Sequence, residues 1–412
     1  MNYGCIGEHL GHSFSKEIHA LVADYDYALC ELAPDEVESF MKAADFRAIN
    51  VTIPYKEKVI PYLSYVDEGA ELIGSVNTVV KRDGVLCGYN TDFYGMTKLA
   101  EHAGISFTGR KVLILGTGGT SRTAYAVATA HGAREVIKVS RNPKNGAISY
   151  TNVYKHHTNA EIIINTTPVG MYPDIFGCPI DLSPFNSLCG VLDAVYNPLS
   201  TPLILEAKRR GIPAEGGLYM LVAQGIRASE IFLDKNHEDT LLDSIYSKIR
   251  ADKENIVLIG MPSSGKTTVG RIIAERLGRE LIDSDEVIAA ECGKTIAEIF
   301  SDIGEEGFRE LEARCIARIS ARSSAVIATG GGAILREENR TALSENGRIY
   351  FIDRPLDMLI PTCDRPTAST SEAIAKRYAE RYAIYRTAAD VTVDGADSAE
   401  SVADAILNDF FA

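Results

Sequence analysis

Two stretches of the chain share one order of hydrophobic and polar positions: a continuous apolar run, a glycine-rich turn, then a helix-compatible segment. The first is Lys111-Val-Leu-Ile-Leu-Gly-Thr-Gly-Gly119, followed by Arg122 to His131. The second is Asn255-Ile-Val-Leu-Ile-Gly260, continuing through Met-Pro-Ser-Ser-Gly-Lys-Thr-Thr268, with Thr267 to Leu277 as its helix. Strands alternating with helical patterns around both predict parallel α/β sheets. Between them, Asn236 to Glu254 is polar and charged. Leu241, Leu242, Ile245 and Ile249 fall there at helical spacing, which predicts a short amphipathic helix as connector and places the main boundary of the chain.

Composition narrows the class. At 412 residues a single core is not expected. No apolar run reaches the length of a membrane span, and no charged segment followed by an apolar one opens the chain. A net charge of −14 argues against general nucleic-acid binding and requires any pocket for an anion to be locally basic. Eight cysteines without CxxC or metal-ligand spacing read as reduced thiols of a cytoplasmic protein. Small molecules are the expected partners, with no nucleic acid or membrane.

The first turn, Gly116-Thr-Gly-Gly-Thr-Ser121, has the context of a dinucleotide-binding loop, with Ser121 where a third glycine is usual. Gly116, Gly118, Gly119 and Thr120 are its candidate contacts. The next strand-like run, Glu135 to Val139, ends in Ser140-Arg141, with Lys144 close behind. An arginine in that place suits the 2′-phosphate of NADP rather than the free hydroxyl of NAD. Read singly, Arg141 and Lys144 are ordinary solvated cations.

Upstream lie His12-Ser-Phe-Ser15, Asn50-Val-Thr-Ile-Pro-Tyr-Lys56, Gly74-Ser-Val-Asn-Thr78 and Gly88-Tyr-Asn-Thr-Asp92. Small hydroxyls and amides suit a polyhydroxylated ligand, and a lysine with an aspartate can do acid–base work. Taken alone, Lys56 is a surface lysine and Asp92 a helix N-cap. Together with Asn165-Thr-Thr-Pro-Val-Gly-Met171, Asp193-Ala-Val-Tyr-Asn-Pro198 and Gly217-Leu-Tyr-Met-Leu-Val-Ala-Gln224, these segments resemble shikimate dehydrogenase over about residues 3 to 234. The resemblance implies reduction of 3-dehydroshikimate with NADPH. It implies Ser13 and Ser15 at the substrate carboxylate, Thr52, Asn77, Tyr196 and Gln224 at its hydroxyls, Lys56 with Asp92 as the reacting dyad, and Gly217 near the nicotinamide. Lys16 stands where a proline is usual, and Ser140 where an asparagine is usual.

The second turn fits GxxxxGK[ST] in full, a P-loop whose backbone would wrap the β-phosphate. Ser264, Gly265, Lys266, Thr267 and Thr268 are its nucleotide contacts, with Lys266 on the transferring phosphoryl and Thr267 on Mg²⁺. Asp283-Ser-Asp285, Phe308-Arg-Glu-Leu-Glu312 and Thr329-Gly-Gly-Gly332 follow. From about Lys253 to Ala412 the chain resembles shikimate kinase. That resemblance implies Asp285 at the acceptor hydroxyl and Asp283 supporting Mg²⁺ through water. It also implies Arg309, Arg381 and Gly331 clamping shikimate, and Arg365 as a lid arginine on the ATP phosphates. Read blandly, Arg309 is an i,i+3 partner of Glu312 on a solvated helix, and Arg381 pairs among the neighbours of Glu380. Pro361-Thr362 stand where many relatives carry another arginine.

The expected fold is α/β throughout: a substrate-binding part (1–100 and 217–235), a Rossmann NADP-binding part (101–216), a linker (236–253) and a P-loop domain of the nucleoside-monophosphate-kinase kind (254–412). The expected function is bifunctional, with NADP(H), ATP and Mg²⁺ as cofactors: a ketone reduced to a hydroxyl, then that oxygen phosphorylated. The weighed alternatives are a quinate-type NAD dehydrogenase joined to another small-molecule kinase, and a regulator that keeps both pockets without chemistry.

Overall fold

Runs as apolar as Lys111–Leu115 and Asn255–Ile259 are satisfied only between two covering layers, and each becomes an inner strand of a parallel sheet. A computed structural model describes residues 1–11, 14–360 and 370–412. Its strands form three sheets. The chain divides into two compact units, Met1–Asn197 with Glu206–Ile249, and Pro198–Leu205 with Arg250–Ala412.

The first sheet holds β1 (Tyr3–Gly7), β2 (Tyr27–Glu31), β3 (Ala48–Val51), β4 (Tyr65–Val66), β5 (Thr78–Arg82) and β6 (Val85–Tyr89), in the order β2-β1-β3-β5-β6-β4. It is mixed, because β5 runs antiparallel to both β3 and β6. The reversal between β5 and β6 is made by Asp83 and Gly84, both at positive φ (50° and 84°), the conformation of a two-residue hairpin turn. The two antiparallel pairings set Thr78 opposite Asn50 on β3 and opposite Tyr89 on β6, just before Asn90-Thr91-Asp92. The helix Leu218–Leu233 packs on the helices Asp92–His102 and Ser15–Val22 and reaches β3 and β5.

The second sheet is wholly parallel: β7 (Lys111–Leu115), β8 (Glu135–Val139), β9 (Ile162–Asn165), β10 (Gly190–Asp193) and β11 (Ala214–Glu215), ordered β11-β10-β9-β7-β8. The helix Gly119–Ala130 leaves β7 and lies against β7 and β8. The predicted connector is the helix Leu241–Lys253. Its stripe buries Ile245 and Ile249, and Tyr246 packs edge-on against Tyr219 at 5.0 Å.

The third sheet is parallel too: β12 (Asn255–Ile259), β13 (Glu280–Asp283), β14 (Ala325–Ala328), β15 (Gly347–Asp353) and β16 (Val391–Asp394), ordered β13-β14-β12-β15-β16. Alternate β12 residues feed two cores, Val257 and Ile259 with Ile327 and Phe351 on one face, Ile256 and Leu258 with Val326 and Tyr350 on the other. The long helical stretch Ile296–Ser320 is broken at Gly304 (φ 71°, ψ 178°), so its two parts take separate directions.

One buried group works against this packing. Glu345, near the end of the helix Glu337–Asn346, is 1% exposed, and among the described residues neither carboxyl oxygen has a hydrogen-bond partner. Burial raises its pKa from 4.5 to about 8. The folded chain therefore keeps a proton that the unfolded chain releases, and each rise in pH between those values favours unfolding. We expect the unfolding free energy of the second unit, measured by urea titration, to fall across that interval with a slope of up to about 1.4 kcal/mol per pH unit. Glu345→Gln should flatten the profile; an unchanged slope would refute this account.

Candidate active sites

The turn after β3 and the start of the helix Asp92–His102 bring Lys56 and Asp92 together, Lys56 Nζ to Asp92 Oδ2 at 2.6 Å, both side chains largely covered. Thr91 is the N-cap and Asp92 the first helical residue, so the aspartate is not spent on capping. Its other oxygen, Oδ1, accepts from Asn77 Nδ2 at 2.9 Å, and its backbone N–H donates to Asn90 Oδ1 at 2.9 Å. Lys56 is tied in through its carbonyl, which accepts from the N–H of Val76, next to Asn77. Gln224 joins from the helix Leu218–Leu233, its Oε1 accepting from the Thr91 hydroxyl at 3.3 Å.

Asn77 uses all its polar atoms inside this cluster. Both N–H groups are taken, by Asp92 and by Thr91 Oγ1, and Oδ1 accepts from the Thr91 N–H and from Thr78. The remaining expected contacts arrive from other loops. Thr52 begins the turn that ends in Lys56. Ser15 starts the helix Ser15–Val22, and Tyr196 packs against Phe14 at 5.3 Å. Ser13 lies outside the described residues.

The dinucleotide loop sits where β7 has β8 on one side and β9 on the other, the crevice at which such sheets bind ligands. Gly116 has φ +113°, and a Cβ there would stand 2.7 Å from Thr166 Oγ1 at the end of β9. Gly118 is the N-cap of the helix Gly119–Ala130, and over Gly118 and Gly119 a Cβ would meet nothing within 4 Å. Bare backbone at a helix N-terminus fits the pyrophosphate of a dinucleotide. Ser121 is fully buried and donates to Gly116 O at 2.8 Å, closing the turn where a third glycine is usual. Arg141 and Lys144 are exposed past β8, and Ser140 Oγ accepts from the Asn142 N–H. Gly217 caps the helix Leu218–Leu233 with its N–H on Val195 O. Asn165 Nδ2 donates to Asp193 Oδ1 at 3.0 Å, tying the ends of β9 and β10.

The P-loop follows β12, again flanked on both sides. Gly265 (φ +91°) caps the helix Lys266–Leu277. Lys266 Nζ donates to the loop carbonyls of Gly260 and Met261 at 2.9 and 2.8 Å, so its charge lies inside the loop that would receive a phosphate. Thr267 Oγ1 donates to Asp283 Oδ2 at 2.7 Å, an adjacent hydroxyl and carboxylate of the kind that hold Mg²⁺ beside phosphate oxygens. Asp283 Oδ1 also caps the next helix, accepting from the Asp285 N–H.

Beside the loop is a cleft lined by Pro262, Asp285, Phe300, Arg309, Gly331 and Arg381, with Glu312 at its wall. The sequence left Arg309 as a possible surface partner of Glu312. The pair exists, Arg309 to Glu312 at 2.6 Å, but the side chains are only 11% and 1% exposed. Burial works against the Arg309 charge, yet Glu312 and Glu305 leave its pKa above the usual value. Burial likewise raises the Glu312 pKa against the pull of Arg309. Glu312 Oε1 has no hydrogen-bond partner among the described residues. Arg381 donates to Gly331 O at 3.0 Å rather than pairing along its own helix. Sequence reasoning missed Glu312 as a cleft residue, because i,i+3 spacing does not distinguish a buried pair from a solvated one. Arg377, half-buried one turn before Arg381, has its pKa lowered by burial and then by the Arg381 charge. Arg365, Pro361 and Thr362 lie outside the described residues.

A family model for the shikimate dehydrogenase substrate binding domain matches residues 5–79, and one for shikimate kinase matches residues 262–410. A shikimate dehydrogenase (NADP(+)) of Clostridium perfringens is 36% identical over 265 residues, covering 59% of this chain and 97% of that protein. Among solved structures, shikimate dehydrogenase 1 from Peptoclostridium difficile is 33% identical with a TM-score of 0.55, over 60% of this chain and 98% of the other. Shikimate 5-dehydrogenase from Thermus thermophilus, in complex with NADP(H) and shikimate, is 26% identical with a TM-score of 0.55, over 60% and 99%. Through its first three-fifths the chain therefore belongs to the shikimate dehydrogenase family, and a shikimate kinase domain follows on the same polypeptide.

Proposed function

We propose that this chain performs two successive reactions on one carbocyclic acid: NADPH-dependent reduction of 3-dehydroshikimate to shikimate, then Mg-ATP-dependent phosphorylation of the new hydroxyl. The observation that supports the reading is that each unit gathers its own cluster of charged and hydroxyl side chains. Lys56 stands against Asp92 in one; in the other Lys266 lies in the P-loop, Thr267 pairs with Asp283, and Asp285 lines a cleft with Arg309 and Arg381.

In the first reaction the reduced nicotinamide supplies the hydride. Lys56 gives a proton to the ketone oxygen as negative charge develops there, and Asp92 holds the ammonium in place. Ser13, Ser15, Thr52, Tyr196 and Gln224 hold the carboxylate and hydroxyls, with Asn77 contributing through the Asp92 side of the cluster. Gly116, Gly118, Gly119 and Thr120 cradle the pyrophosphate, Ser140, Arg141 and Lys144 receive the 2′-phosphate, and Gly217 lies by the nicotinamide.

In the second, Mg-ATP supplies the phosphoryl group. Lys266 exchanges its loop carbonyls for phosphate oxygens, while Ser264, Gly265 and Thr268 support the phosphates. Thr267 holds the ion directly and Asp283 through water. Asp285 takes the proton of the attacking hydroxyl. Arg309 and Arg381 present paired N–H donors to the carboxylate, with Gly331 beside them. Arg365 reaches the phosphates. Free thiols at all seven cysteines among the described residues suit a reducing compartment, and we place the protein in the cytoplasm.

Purified protein given 3-dehydroshikimate, NADPH and Mg-ATP should oxidise NADPH and then consume ATP. Lys56→Met should lower the reductase kcat by at least about 100-fold while the kinase rate stands, and Lys266→Met should do the reverse. Loss of both activities in either variant, or of neither, would sink the assignment. A Cβ on Gly332 would fall 2.2 Å from the Arg309 guanidinium. Gly332→Ala should therefore raise the kinase KM for shikimate about tenfold with little change for ATP, because a side chain rather than backbone must move. Equal effects on both substrates would count against Arg309 as a carboxylate clamp.

A further inference from the structure

Behind the Lys56–Asp92 pair runs a buried chain of hydrogen bonds that no contact with substrate explains. Tyr27 donates through its hydroxyl to Asn50 Oδ1 at 2.7 Å. Asn50 Nδ2 donates to Thr78 Oγ1 at 3.2 Å and to the backbone oxygen of Asn77 at 3.3 Å. Thr78 Oγ1 donates to Asn77 Oδ1 at 3.0 Å, and Asn77 Nδ2 donates to Asp92 Oδ1 at 2.9 Å. Tyr27, Asn50, Asn77, Thr78 and Asp92 are all 9% exposed or less.

The direction of this chain is fixed, because backbone groups anchor both amides. A carbonyl can only accept, so Asn77 O sets Asn50 with its NH₂ toward Thr78. A backbone N–H can only donate, so the Thr91 N–H, 2.8 Å from Asn77 Oδ1, sets Asn77 with its NH₂ toward Asp92. Thr78 accepts from one amide and must give its hydrogen to the other. At the far end burial holds the Tyr27 pKa well above the usual tyrosine value, so its hydroxyl remains a donor. Its ring is stacked on buried His19 at 4.0 Å, with 9° between the planes. Turning the Asn77 amide round would place its oxygen against the Asp92 carboxylate and push that carboxylate away from Lys56.

We propose that Thr78 and Asn50, with Tyr27 behind them, are positioning residues for the reduction: with the Asn77 amide turned by the Thr91 N–H, the Thr78 hydroxyl holds its Oδ1 in place from the other side and so keeps Asp92 Oδ2 on Lys56. The inference rests on the dehydrogenase reading of this site. Its predicted signature is a fall in kcat without a matching change in KM, because the groups displaced are the reacting ones and not the substrate's own contacts.

Thr78→Val keeps the shape and removes the relay hydroxyl; Thr78→Ser keeps the hydroxyl. In full-length protein, T78V should lose about tenfold in reductase kcat, with KM for 3-dehydroshikimate and NADPH changing less than about twofold. T78S should recover most of the rate, and the kinase rate of the same samples should match wild type. Wild-type protein without reductase activity would overturn the functional reading. A normal T78V kcat beside an active wild type would overturn this inference alone. So would equal losses in T78V and T78S. Should T78V not fold, Tyr27→Phe asks the same question from the far end: kcat about threefold down at unchanged KM supports the relay, and unchanged kcat overturns it.

Discussion

A parallel sheet whose first strand has neighbours on both sides opens a crevice at that strand's carboxyl end, because the connections leave it in opposite directions. Both nucleotide loops of this chain occupy that position, after β7 and after β12. The crevice gives an anion access to the first N–H groups of a helix, which have no partner within the helix. Everything else in each unit is arranged around this opening. The apolar strands bury the sheet so that its edge of amides is stable, and the loops supply the groups that choose the ligand and react with it.

The two sites handle buried charge in different ways. In the dehydrogenase unit the lysine and carboxylate face each other directly, and uncharged amides and hydroxyls hold the carboxylate from behind. A neutral network adds no competing charge, so its value lies in direction: backbone donors and acceptors fix which way each amide points. In the kinase unit Arg309 is covered together with Glu312 and also touches Glu305. Burying a guanidinium without a counter-ion costs several kcal/mol. Glu312 offsets that cost, while among the described residues one of its own oxygens has no partner.

Much of this was legible in the residues because it depends on local spacing. Continuous apolar runs ending in glycine marked β7 and β12, and the stripe from Leu241 to Ile249 marked a helix that is present. The mixed first sheet was not foreseen, although Asp83-Gly84 is a strong hairpin signal. That reversal matters, since it sets Tyr89, just before Asn90-Thr91-Asp92, across from Thr78. Burial was the other thing out of reach. The spacing of Arg309 and Glu312 is the same whether the helix faces water or a cleft, and only the packing of Phe300, Phe308 and the glycines after β14 decides between them. Asp92 shows a subtler limit: sequence allowed it as an N-cap, but the chain enters its helix one residue earlier, at Thr91.

That one-residue difference carries the logic of the first site. An aspartate serving as N-cap spends a carboxylate oxygen on the helix N–H groups. With Thr91 in that place, Asp92 keeps both oxygens, one for Asn77 and one for Lys56. Thr91 instead gives its backbone N–H to Asn77 and its hydroxyl to Gln224. The helix start thus provides a rigid donor that orients an amide and leaves the neighbouring acid unencumbered. Three segments remote in sequence, ending at residues 56, 77 and 92, meet there because two antiparallel strand pairings deliver them to the same end of one sheet. The position of the Lys56 ammonium is therefore set by strand register, and a shift of one residue between β3 and β5 would disperse the whole cluster.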